Sequence, residues 1–164
     1  MDAEQLLLQW LAEYKNLIYR VVLSYSADTS GQEDLFQEIT LALWRSIPNF
    51  KGQAKASTWI YRVALNTAID QLRKRSRRPG FELFEDKSHW VEFDEPNEEM
   101  QMVFEQIRLL NNVDRSLLLL YLDGVSYHEI AEILGVPASS VGVKLNRAKE
   151  KLKSAINTQV KEVS

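Results

Sequence analysis

The sequence contains no cysteine, which excludes disulfides, thiolate metal sites and thiol nucleophiles at the outset. Histidine is nearly absent too: His89 and His128 stand alone, with no ligand cluster around them. No apolar run approaches the roughly 18 residues of a membrane span. The opening MDAEQ lacks the basic start and small-residue cleavage site of a signal peptide, so a cytoplasmic location is expected. Six glycines and four prolines in 164 residues are too few for a collagenous or low-complexity chain, and alternating runs of Val, Ile and Thr are scarce. What remains, 45% hydrophobic and 26% charged, predicts an all-α protein with no metal, no cofactor and no catalytic residue.

The formal net charge of −3 conceals segregation. Residues 51–80 hold eight Lys and Arg against one acid, and residues 136–164 hold six against two. Residues 81–100 reverse the balance, with eight acids against one Lys. Phosphates respond to the local field rather than to overall charge, so two basic blocks on an acidic chain suit local nucleic-acid contact. Charge alone leaves solvated helix ends as an equal alternative.

Apolar spacing predicts the elements. Leu7, Leu11, Tyr14, Leu17, Ile18, Val21, Val22 and Tyr25 mark an amphipathic helix or helix pair, and Ser30-Gly31 reads as a turn. A helix over 32–47 places Leu35, Phe36, Ile39, Leu43 and Ile47 inward and ends at Pro48. After a polar loop, Ser57 is placed to cap a long helix running to about Arg75. Residues 79–97 are acidic, carry prolines near both ends and show no helical spacing, which predicts a linker between a domain at 1–78 and another at 98–164. The second domain opens with helices at 98–111 and 114–122. Ser126 to Glu129 then spells a capping box, Gly135 a left-handed helix end, and residues 138 to about 153 a final basic helix. A short capped helix, a glycine turn and a basic helix together make a helix-turn-helix.

Two helices have faces suited to nucleic acid. In the first domain Tyr61, Ala64, Leu65, Ala68, Ile69 and Leu72 share one face, while Trp59, Arg62, Val63, Asn66, Asp70, Arg73 and Lys74 share the opposite one. An indole, an amide and cations together can stack on bases, read their edges and neutralise phosphate. The alternative is that Trp59 packs under the neighbouring loop, and Asp70 is expected simply to pair with Arg73 or Lys74. In the last helix Val141, Leu145, Ala148 and Leu152 face inward and Ser139, Gly142, Val143, Asn146, Arg147 and Glu150 outward, with Lys144, Lys149, Lys151 and Lys153 on the flanks.

The segment Asp34-Leu35-Phe36-Gln37-Glu38, the stretch WIYRVALNTAIDQLRKR, the acidic linker and SYHEIAEILGVPASSVGVKLNRAKEKL, in this order, resemble a bacterial RNA polymerase sigma factor of the extracytoplasmic-function (ECF) type, within the sigma-70 family. The resemblance spans nearly the whole chain. It implies that Asp34, Gln37 and Glu38 dock on the clamp helices of the polymerase beta-prime subunit. It implies that the loop 49–57 and the helix after it, through Asn49, Lys51, Trp59, Arg62, Asn66, Arg73 and Lys74, melt the minus-ten promoter element and hold its non-template strand. The helix-turn-helix would read the minus-35 element through Ser139, Ser140, Gly142, Val143, Lys144, Asn146 and Arg147 while resting on the beta flap. Core RNA polymerase, promoter DNA and an anti-sigma factor are the implied partners. Gly142 and Val143 stand where the family usually has a polar or basic pair.

Two other classes compete. An autonomous helix-turn-helix regulator would need a dimerising seam, and none is visible. A recombinase would need a nucleophile on the basic face, and none is there.

Overall fold

The structure is a computed structural model that describes residues 1–77 and 95–163. The chain divides into two compact units, Met1–Phe93 and Asp94–Ser164. Among the described residues there are eight α-helices, one 3-10 turn and no strand, as expected of an all-α chain. The linker prediction and its aromatics Phe81, Phe84, Trp90 and Phe93 lie outside the described residues, except for the non-helical stretch 95–97.

In the first unit, α1 (Ala3–Glu13) starts with a capping box: Asp2 accepts a hydrogen bond from the Gln5 backbone N–H, and the Gln5 side chain accepts from that of Asp2. Tyr14 breaks the pattern, so the amphipathic stretch is a pair, α1 and α2 (Lys15–Tyr25). The predicted turn at Ser30-Gly31 is not a turn. Asp28 caps α3 (Thr29–Ser46) by accepting from the Gly31 N–H at 2.6 Å, which supplies the partner the first turn otherwise lacks. Pro48 does end the α-helix, within the 3-10 turn Ile47–Asn49. Helix α4 (Ala56–Arg77) begins before Ser57, so that residue lies in the first turn rather than at the cap. Burial of Thr58 and Ile60 commits this turn to the core. Helices α2, α3 and α4 pack on one another around Ile18, Val21, Leu35, Ile39, Leu43, Ile60, Ala64 and Leu65. Helix α1 lies against α3 and the 3-10 turn and buries Trp10 there.

In the second unit, Asn97 caps α5 (Glu98–Arg108) and Asn111 caps α6 (Asn112–Leu122). The buried Arg115 guanidinium donates to the backbone carbonyls of Arg108 and Leu110, a cation placed where the end of α5 leaves acceptors open. Burial lowers the pKa of the neighbouring Arg108, with Glu105 opposing and Arg115 reinforcing the shift. Ser126 caps α7 (Tyr127–Leu134) by accepting from the Glu129 N–H, and Gly135 ends it at φ 69°, ψ 33°. Helix α8 (Ala138–Val163) runs ten residues past its predicted end at Lys153. Tertiary packing extends it: Leu152, Ala155, Ile156 and Gln159 are half-buried, α8 packs on α5, and Gln106 donates to the Gln159 side chain.

Candidate nucleic-acid interface

Helix α4 presents much of the expected polar face. Asn66, Asp70, Arg73 and Lys74 are exposed, while Arg62 and Val63 are half-buried. Asp70 pairs with Arg73 at 3.7 Å, in line with the local ion pair expected of it. At the head of the helix, Asn49, the last residue of the 3-10 turn, and Lys51, on the adjoining loop, are exposed, and Gly52 turns the chain at φ 72°. That loop therefore projects polar groups beside a helix carrying an amide and two cations.

Trp59 departs from the expectation of a freely exposed indole. It is half-buried, its Nε1 donates to Ser46 Oγ at 3.0 Å, and its ring tilts against Phe50 with centroids 5.5 Å apart. The alternative of packing beneath the loop describes it better. An indole placed just before Ile60 satisfied the outward spacing; only the chain reversal at 47–55 brings Phe50 and Ser46 against it.

Helix α3 carries Asp34, Gln37 and Glu38 on one stripe, with Glu38 exposed and the other two half-buried. Further along the helix, Leu41 and Trp44 are 42% and 43% exposed. Sequence reading overlooked this apolar extension of the acidic stripe. The signal was available: at helical spacing Leu41 follows Asp34, Gln37 and Glu38 and lies off the inward set of Leu35, Ile39 and Leu43.

On α8, Ser139, Val143, Asn146 and Arg147 are exposed, and Ser140 and Lys144 half-buried. Ser140 Oγ donates to the Pro137 carbonyl, so it also closes the first turn of the helix. Gly142 is placed differently from the expected outward position. It is half-buried, and a Cβ there would lie 3.6 Å from Tyr127 Cε2, so the missing side chain faces α7. The flank lysines divide in role. Lys149 lies 3.8 Å over the Tyr121 ring, and Lys151 pairs with the nearly buried Asp114 at 2.7 Å. Lys144 and Arg147, with Lys151, line a cavity of about 330 Å³ against Asn111 to Asp114.

Among the described residues no group of His, Asp and Glu could hold a metal, and no helix is long and apolar enough to cross a membrane. Two helical units, one ending in a helix-turn-helix and each with a polar, cation-bearing helix face, define a DNA-binding protein of modular build. Family comparison makes the class specific: the model for sigma-70 region 2 matches residues 10–78, and that for sigma-70 region 4 matches residues 100–152. An ECF RNA polymerase sigma-E factor from Haemophilus influenzae is 32% identical over 89% of this chain and 85% of its own. The RNA polymerase sigma-H factor of Pseudomonas aeruginosa is 27% identical over 92% of this chain and 86% of its own. The chain belongs to the ECF sigma factors of the sigma-70 family. Its fold resembles that of the sigma factor RpoE of Bartonella quintana, solved with the anti-sigma factor NepR, at a TM-score of 0.70 and 21% identity over 91% of this chain and 95% of the other. It also resembles CnrH, solved with the cytosolic domain of CnrY, at a TM-score of 0.67 and 18% identity over 94% and 90%.

Proposed function

We propose that each unit of this sigma factor carries a separate promoter contact, with boundaries at 1–78 and 98–164 joined by the acidic segment. The supporting observation is the pairing of two nucleic-acid-type surfaces on a chain of net charge −3. One is Asn66, Arg73 and Lys74 beside the 49–55 loop; the other is Ser139, Val143, Asn146 and Arg147 on α8. Neither surface is extensive enough to hold DNA tightly alone, which fits a protein that works on polymerase in the cytoplasm.

In this reading the loop and α4 hold the melted non-template strand of the minus-ten element. Asn49 and Asn66 read base edges, and Lys51, Arg62, Arg73 and Lys74 neutralise phosphate. Trp59 contributes from beneath, by supporting the loop. On α8, Ser139 and Asn146 supply hydrogen bonds in the major groove of the minus-35 element, and Val143, 55% exposed, meets a thymine methyl. Lys144 and Arg147 hold the backbone. The stripe of Asp34, Gln37 and Glu38, continued by Leu41 and Trp44, docks on the beta-prime clamp helices, and the second unit rests on the beta flap. An anti-sigma factor controls the chain by covering its polymerase-binding surfaces, as the pairing of RpoE with the anti-sigma factor NepR suggests.

Run-off transcription with purified core polymerase on genomic fragments tests the reading. Promoter-specific transcripts that appear only when the chain is added support it. Tight sequence-specific duplex binding by the chain alone, with no transcripts, would instead favour an autonomous regulator.

A further inference from the structure

The first helix contributes a buried side chain against the start of the loop. Trp10 is 2% exposed, although α1 otherwise buries little. Its ring meets Phe50 nearly at right angles, 82°, with centroids 5.1 Å apart. Phe50 follows directly on the last residue of the 3-10 turn, and its ring also lies against the tilted Trp59 ring. Trp59 is in turn fixed by its hydrogen bond to Ser46 Oγ, whose hydroxyl donates to the Leu43 carbonyl at 2.8 Å. Phe50 is thus packed against an aromatic ring from α1 and another from α4, with the Ser46 hydroxyl tying the second ring to the end of α3. Residues 51–53, immediately beyond, are exposed and turn through Gly52.

We propose that Trp10 is a positioning residue for promoter selectivity: through Phe50 it sets where the 49–55 loop begins, and so where Asn49 and Lys51 meet a minus-ten base. The inference rests on the reading of that loop as the minus-ten contact. Its physical basis is that edge-to-face aromatic pairs have a directional preference that aliphatic packing lacks. An aliphatic side chain at position 10 fills the core without holding the Phe50 ring at its angle. The loop then samples several starting directions, and base discrimination falls while burial is largely retained.

The test uses full-length chain assembled with core polymerase. Trp10→Leu and Trp10→Phe are compared with wild type in core-binding titrations and in transcription from a promoter library randomised at the minus-ten and minus-35 elements. For Trp10→Leu the expected result is core affinity within about twofold of wild type, unchanged minus-35 preference, and about tenfold less discrimination at one minus-ten position. Trp10→Phe is expected to restore that discrimination. Phe50→Leu, made on the other side of the same contact, should reproduce the Trp10→Leu pattern, and it carries the test if Trp10→Leu loses helicity. Unchanged minus-ten preference in the folded variants would overturn the proposal. So would a loss of core binding and of both preferences in parallel with reduced melting temperature, because that is a purely structural role. Asn49→Ala and Lys51→Ala separate the two layers. If they alter minus-ten preference and the aromatic variants do not, the loop reads DNA without help from α1. If none of the four alters it, the loop reading itself fails.

Discussion

Gly142 shows how a single position changes meaning between sequence and structure. By helical period it groups with the outward set, where a glycine suggests close approach of DNA. In the fold the missing Cβ points toward the Tyr127 ring at ordinary van der Waals distance. Gly142→Ala is therefore expected to stabilise the protein by up to about 1 kcal/mol, through helix propensity, and to leave minus-35 preference intact. Thermal melting together with the promoter library checks both halves. Asn146→Ala, at an exposed position on the same helix, should relax preference at one or two minus-35 positions, and an identical selected consensus would remove its base-reading role. On α3, reversing the charge at exposed Glu38 with Glu38→Lys should weaken core binding by about 2 kcal/mol, measured by titration against core polymerase.

At the scale of the element, α8 is held by contacts that its charge pattern did not reveal. Lys151 is counted among the basic flank, but its ammonium pairs with Asp114, which also accepts from the Asn111 side chain at 3.1 Å. Asp114→Asn should lower stability by about 1 to 2 kcal/mol in denaturant unfolding, the scale for weakening a hydrogen-bonded, partly buried ion pair. Lys151→Ala should then change the salt dependence of promoter binding little. By contrast Arg147→Ala, which removes an exposed cation, should reduce the magnitude of that salt slope by about one. The helix ends were read from sequence with mixed success, for a consistent reason. Caps satisfied within a few residues, such as Ser126 with Glu129 and the left-handed Gly135, were legible. The start of α3 at Asp28 and the end of α8 at Val163 were not. At Asp28 a local cap was overlooked beside an apparent Ser-Gly turn, and at Val163 packing on α5 carried the helix past its basic stretch.

Over the whole chain, the charge pattern suits binding that depends on assembly. The acidic stretch 81–100 and a net charge of −3 oppose nonspecific attachment to DNA, while the two basic blocks keep a local attraction. The isolated chain is accordingly expected to bind a minus-35 duplex only weakly at physiological salt, and the holoenzyme to bind the complete promoter tightly. Mobility-shift titrations of chain, core and holoenzyme on the same fragment test this. Comparable affinity for chain and holoenzyme would contradict it.

The all-α class and the helix-turn-helix are legible in the residues because each follows from patterns repeated within a few positions, namely apolar spacing, local caps and a glycine in a left-handed turn, and the two-unit organisation is legible from the acidic, non-periodic stretch between the helical blocks. The sequence by itself also marked the polar faces of α4 and α8, since a helix period assigns faces without knowledge of neighbours. Which members of those faces are engaged inside the protein depends on contacts between elements. Trp59 turned under the loop because Phe50 and Ser46, 9 and 13 residues away, meet its ring. Trp10 joined them from another helix, Lys151 was drawn to Asp114, and Gly142 came to face Tyr127. Each of these depends on contacts across separate elements, and a helical period records only the direction of a side chain from its own axis.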